Sequence, residues 1–257
     1  MRRTLFAISL LFALCVSAYA RQIGARKFDE FGDIYTSDLK ARLDAFVIEL
    51  QNAPDARGVI VFYGAKNKFP GWPMRRAGMA VDYLVNSRRL GASRVSTING
   101  GLRDDTLFEL WVVPPGAELN VKPFDISLLM SGEKTAQPFD RFVVIERGDM
   151  DMSEDGDPYA DSAFLYRQLA EVLRSDPALR GCVIGYTSRR GPLKAGRRMA
   201  SRAKLTIAKS HAIDVGRVVA LGGGRRDFKM IELWLVPPGA SLPKPSPPAR
   251  VKRRRRR

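Results

Sequence analysis

Few residues of this chain could do chemistry, and most of them fail on spacing. Asp151-Met-Ser-Glu-Asp-Gly-Asp157 carries oxygen ligands at positions 1, 3 and 5 and the glycine of a calcium loop, but position 12 is Ser162, where a bidentate glutamate would close the shell. The one histidine, His211, has neither a second imidazole nor a thiolate near it in sequence, so no zinc site can be assembled; it reads as a helix-end residue facing the C-terminal dipole. Asn99-Gly-Gly101 and Leu221-Gly-Gly-Gly224 suggest phosphate loops, yet each precedes a strand pattern and offers no helix N-terminus to an anion, so both read as turns. Asp104-Asp105 is a carboxylate pair in a turn, and Asp104 recurs as Asp227, again next to an arginine, which fits a turn-stabilising pair better than an acid–base couple. No Ser or Cys stands in a nucleophile motif. The chain is therefore expected to be no enzyme, to hold no metal and to need no cofactor.

Positive charge remains. Lys and Arg number 43 against 27 Asp and Glu, a formal net charge of +16. Seven of these cations, Arg250, Lys252, Arg253, Arg254, Arg255, Arg256 and Arg257, fall in the last eight residues, behind Pro243-Lys-Pro-Ser-Pro-Pro248. Such a run repels itself, and the prolines favour an extended polyproline II spacer, so residues 241–257 are expected to form a disordered tail whose natural partners are polyanions. At the other end, Arg2-Arg3, the apolar run Leu5–Val16 and Ser17-Ala-Tyr-Ala20 make a charged, an apolar and a small-residue region in the order of a signal peptide. Residues 1–20 are expected to be removed after Ala20, and the protein to work in the periplasm or cell envelope. Export argues against a specific nucleic-acid target. Of the two cysteines only Cys182 follows the leader, so no intramolecular disulfide can form, and its apolar surroundings read as core.

The chain is also a duplication. Glu109-Leu-Trp-Val-Val-Pro-Pro-Gly-Ala117 returns as Glu232-Leu-Trp-Leu-Val-Pro-Pro-Gly-Ala240, 123 positions later, and the same offset pairs Tyr63 with Tyr186, Arg75 with Arg198, Arg94 with Arg217 and Gly100 with Gly223. Two modules follow, 27–117 and 139–240, joined by a linker over 118–138. In the first, Lys27–Tyr35 reads as a strand and turn, and Thr36 or Ser37 as the cap of a helix with Leu39, Leu43, Phe46, Val47 and Leu50 on one face, ended by Pro54. Arg57–Tyr63 is a strand apolar on both faces; Met74–Arg88 a helix; Arg94–Ile98 a strand; Asn99–Asp105 a turn; and Thr106–Val113 a strand stopped by Pro-Pro-Gly. Trp111 and Trp234 are expected in the core. The second module repeats this from a strand at Arg141–Glu146, through helices from Asp161 or Ser162 and over Ala195–Ser210. The expected class is α+β: two tandem β-α-β-α-β-β modules, each with two helices packed on one face of a small mixed sheet.

At the second helix these residues meet a known pattern. Arg76-Ala-Gly-Met-Ala-Val-Asp-Tyr-Leu-Val85, then Leu90-Gly-Ala-Ser-Arg-Val95 and Asn99-Gly-Gly101, resembles the OmpA-like C-terminal domain of bacterial envelope proteins, and Gly185-Tyr-Thr-Ser188 is similar to that family's strand end. The resemblance covers most of both modules. It implies noncovalent binding of peptidoglycan, in which an Asp at the strand end and an Arg on the next helix clamp a zwitterionic side chain. Carried onto this chain, the arginine falls on Arg75 or Arg76 and on Arg198 or Arg202, while the Asp position falls near Gly64-Ala65 in one module and on Ser188 in the other. The departure removes the ammonium's counter-charge. The expected function is cell-wall binding or scaffolding, with peptidoglycan or another anionic envelope polymer as partner. The alternative is that the tail binds a polyanion, such as anionic lipid at a membrane surface or a surface glycopolymer, and the modules are spacers.

Overall fold

A computed structural model describes residues 24–144 and 162–245. The first half runs β1 (Arg26–Phe31), α1 (Thr36–Asn52), β2 (Arg57–Ala65), α2 (Gly71–Asp82), β3 (Val95–Arg103) and β4 (Leu107–Val113). The second runs β5 (Gln137–Val143), α3 (Ser162–Ser175), β6 (Arg180–Ser188), α4 (Leu193–Ser210), β7 (Val218–Arg226) and β8 (Met230–Val236). The two sheets have the same topology, β1-β4-β2-β3 and β5-β8-β6-β7, with β2 parallel to β3 and β6 parallel to β7, and the other neighbours antiparallel. This is the α+β class expected from the duplication: two mixed four-stranded sheets, each carrying helices.

The duplicated strands obey the two-residue period. Phe108, Leu110 and Val112 of β4 enter the core beneath the helices, whereas Trp111 and Val113 point to the opposite face and meet Val59, Val61 and Tyr63. The tryptophans are therefore half-buried on the outer face of their sheets, not in the main core. Their indole N–H groups keep this place by donating to a carboxylate two residues back, Trp111 to Glu109 at 3.0 Å and Trp234 to Glu232 at 3.3 Å. Strand β2, central in its sheet, has eight of nine residues buried, as a run apolar on both faces requires.

Several local expectations are corrected. No side chain caps α1: Tyr35 holds the N-cap position, and the Thr36 hydroxyl accepts instead from Arg76 Nη1 at 3.0 Å. Helix α2 begins at Gly71, ahead of Met74, because Pro73 lies in the first turn, where a missing N–H costs nothing. Strands β3 and β7 continue through their glycines, and only the two residues beyond Arg103 turn the chain. The reason is contact: a Cβ on Gly100 would lie 2.2 Å from the Tyr63 ring, and one on Gly223 2.3 Å from that of Tyr186. A tyrosine lies against a glycine strand in both halves. Strand β5 begins at Gln137, four residues before Arg141, and the connecting segment is part of the body, since Ile126 and Met130 are buried in a short 3-10 turn.

The halves share one core. A continuous cluster of buried apolar side chains runs from Leu43, Phe46 and Leu110 to Phe139, Leu165 and Leu233. Helix α2 makes the junction: a Cβ at Gly78 would fall 1.5 Å from Phe164 of α3, and one at Gly71 2.8 Å from Asp140 of β5. Glycine is what allows the two helices and the strand to approach so closely.

Candidate binding surface of the second half

Helix α4 lies against β6 through glycine on glycine. A Cβ at Gly185 would stand 2.1 Å from the Gly196 carbonyl oxygen, and one at Gly196 2.4 Å from that of Gly185. This contact sets the helix on the strand and leaves the turn Arg189–Pro192 between them at the surface. The turn between β7 and β8 is held beside it: Arg225 Nε donates to the Gly191 carbonyl at 3.4 Å, and Arg189 Nε meets Asp227 Oδ1 at 2.6 Å. That second contact holds the Arg189 guanidinium above its ordinary pKa. Arg189, Arg190, Lys194, Arg197, Arg198, Arg202 and Arg225 are all exposed along these turns and the outward side of α4.

Charge is what distinguishes this surface. From Arg189 to Lys229 there are twelve Lys and Arg against two acids, Asp214 and Asp227; in the corresponding stretch of the first half, Lys66 to Thr106, there are eight against three. A position-by-position comparison of the two halves singles out Arg190, Lys194, Arg197 and Arg225, which stand where the first half has Asn67, Gly71, Met74 and Leu102 and which no motif picks out, whereas Arg189 is matched by Lys66.

The candidate arginines have separate fates. Arg75 Nε donates to Asp140 Oδ2 at 3.1 Å, with side chains only 11% and 1% exposed. Arg76 is buried and holds the turn before α1, donating to Thr36 Oγ1 and to the Ile34 carbonyl. Arg75 thus ties the first half to β5 of the second, and Arg76 serves the fold of the first. Arg198, the counterpart of Arg75, and Arg202, which stands where the first half has Met79, are exposed, whereas Arg76 is matched by Met199; Ser188 ends β6 half-buried at the mouth of the basic turn. The structure thus sets Ser188 near the start of α4, on which Arg198 and Arg202 lie, and removes Arg75 and Arg76 from any surface site.

Other arginines and acids that pair across the duplication are structural. Arg94 donates to the carbonyls of Leu50, Ala53 and Ala56, and Arg217 to those of Leu173, Asp176 and Leu179, so one guanidinium closes the C-terminal end of α1 and another that of α3. Tyr186 Oη donates to buried Glu232 at 2.7 Å, and the Arg226 guanidinium lies 4.0 Å from the centre of the Tyr186 ring, as Arg103 lies 3.7 Å from that of Tyr63. Asp104 pairs with Lys66 at 2.9 Å, whose hydrogen bond keeps its carboxyl below the usual range. Both residues border an open depression of about 440 Å3 with Asp105 and Thr106. The first half thus ends in acids where the second has Asp227 and Phe228.

Cys182 is buried, and burial pushes its thiol up to about 12. His211 ends α4, and burial lowers its pKa, helped by the charges of Arg174 and Arg167. Among the described residues no cluster of three His, Cys, Asp or Glu could hold a metal, and no helix is long and apolar enough to cross a membrane. The calcium-like run Asp151–Asp157, the leader and the seven cations of the tail lie outside the described residues. No protein-family model matches the chain, and no curated protein matches it.

Proposed function

We propose that this is an exported, non-catalytic protein of the cell envelope that holds an anionic wall polymer, peptidoglycan first among them, on the basic face of its second half. The supporting observation is the unlike fate of two helices of common descent. In α2 the arginines are spent on Asp140 and on the turn at Ile34; in α4, Arg198 and Arg202 stay at the surface among Arg190, Lys194 and Arg197. The resemblance to OmpA-like domains gives this face its ligand class. Ser188, which stands where that family has an Asp, narrows it: with no carboxylate there to receive an ammonium, carboxylate or phosphate groups fit this face better than a zwitterion does. The leader at 1–20 and cleavage after Ala20 belong to the same proposal.

Retention on insoluble peptidoglycan tests it. The mature chain is expected to sediment with the polymer, Arg198→Glu with Arg202→Glu to lower retention on the order of tenfold, and Arg103→Gln in the first half to leave it nearly unchanged. Equal retention of all three would overturn it. The seven cations of Arg250–Arg257 favour a second reading, in which the tail alone binds polyanions. Retention that survives Arg198→Glu with Arg202→Glu but disappears when the chain stops at Pro245 would support that reading.

A further inference from the structure

We infer that the β6–α4 turn with the first residues of α4 (Arg189–Lys194) and the adjoining end of β7 with its turn to β8 (Arg225–Lys229) form a docking tip for an anionic lipid bilayer, distinct from the tail and from Arg198 and Arg202 of the wall-binding face, which it borders and with which it shares Arg190 and Lys194. Two large apolar side chains stand out in these turns: Leu193 is 57% exposed and Phe228 49% exposed. They belong to one tip because Arg225 bonds to the Gly191 carbonyl and Arg189 to Asp227, each bond joining one turn to the other. Around them stand Arg189, Arg190, Lys194 and Arg225, all exposed, with Asp227 the one acid in either turn.

This combination selects its partner. A soluble polyanion attracts the cations but gains nothing from an aliphatic Leu193. A bilayer meets both requirements, because the phosphates take the guanidinium and ammonium groups while the headgroup–acyl boundary takes the apolar side chains. Two side chains on short turns reach the interface without spanning it.

The duplication supplies an internal contrast. At the positions matching Leu193 and Phe228 the first half has Pro70 and Asp105. Its turn is covered as well, since the Arg141 guanidinium from β5 lies 5.1 Å from the centre of the Phe69 ring. Leu193 and Phe228 are thus exposed apolar residues at the one tip whose surroundings are cationic.

Cosedimentation of the full mature chain with vesicles provides the test, using phosphatidylcholine alone and phosphatidylcholine with phosphatidylglycerol in equal parts. Binding is expected to the anionic vesicles only. Leu193→Ser with Phe228→Ser should weaken it on the order of tenfold, the loss of two interfacial apolar contacts, while leaving retention on phosphocellulose unchanged. Arg190→Glu with Lys194→Glu should weaken both. Leu193→Lys alone, which adds charge and removes the apolar contact, should still lower vesicle binding. All four positions are exposed, and an unchanged thermal transition confirms the fold of each variant.

The inference is overturned if the wild-type chain ignores anionic vesicles, or if Leu193→Ser with Phe228→Ser binds them undiminished, in which case the tail or bulk charge suffices. It is overturned too if vesicle and phosphocellulose binding fall together in that variant, which would mean a polyelectrolyte site. Loss of peptidoglycan retention in Arg198→Glu with Arg202→Glu leaves this result untouched, so the two surfaces fail separately.

Discussion

Arg75 and Asp140 sit on different halves of a duplicated chain and meet as a nearly sealed ion pair, Nε to Oδ2 at 3.1 Å. The carboxylate's other oxygen accepts from the Arg141 backbone N–H at 2.8 Å, so Asp140 is held from two sides. The copy of Arg75 on α4, Arg198, is exposed. One position has therefore become an internal contact in one half and a surface cation in the other.

Removing one partner of that pair leaves a buried charge behind. Arg75→Met is expected to cost about 3 kcal/mol in denaturant unfolding at neutral pH, and Arg75→Met with Asp140→Asn to recover much of it, because the orphaned carboxylate is gone. The pH dependence has a definite sign. Burial, only partly offset by the Arg75 charge, holds the Asp140 carboxyl above its ordinary value of 3.8. The folded chain then keeps this proton to higher pH than the unfolded chain does, so the contribution of Asp140 to stability falls as pH rises from about 3.8 through the folded pKa, and levels off above it. The wild-type minus Asp140→Asn difference should show that fall; a difference flat across the same range would contradict it.

Close packing between the helices gives a second expectation. Because a methyl group at Gly78 would overlap the Phe164 ring, Gly78→Ala should destabilise by about 2 kcal/mol despite alanine's better helix propensity. Phe164→Leu in the same chain should return part of that loss. If Gly78→Ala raised the melting temperature, the α2–α3 contact would be misassigned.

The guanidinium caps should prove equivalent in the two halves. Arg94→Met and Arg217→Met each remove the guanidinium from three carbonyl oxygens at and just beyond a helix end, of which only Ala53 and Asp176 also accept a turn N–H, and each is expected to cost about 2 kcal/mol. Lysine at either position should rescue little, since a single ammonium lacks the planar fork that spans the carbonyls. Hydrogen exchange should quicken at the C-terminal turns of α1 and α3 before it does elsewhere.

Cys182 should behave as a hydrophobe. With its thiol pushed up to about 12 by burial, it is expected to resist maleimide at pH 8 in the folded chain and to react fully in denaturant. Rapid labelling of the native protein would show that β6 is open at its outer face.

Much of the architecture can be read in the residues themselves. The 123-residue offset, the helical spacing of Leu39, Leu43, Phe46 and Leu50, and the Pro-Pro-Gly stops after β4 and β8 are local features, and local periodicity states which face is buried. The same periodicity misses where strands end. Asn99-Gly-Gly101 reads as a turn because glycine weakens a strand, but the Tyr63 ring packed against Gly100 makes glycine a requirement of the strand there. Trp111 similarly reads as core from its chemistry, and only the position of β4 in the sheet, with helices on one face alone, shows that it faces outward.

By itself, then, the sequence determined that the protein is built twice from one β-α-β-α-β-β unit and that its charge is strongly positive, because identity at a fixed offset and residue counts do not depend on folding. The tertiary structure decided which arginines remain at the surface. Arg75 and Arg198 are equivalent by descent, and a contact between positions 65 apart leaves no periodic trace in the chain. The difference arises because α2 is packed into the junction with β5 and α3, whereas α4 turns its cations outward.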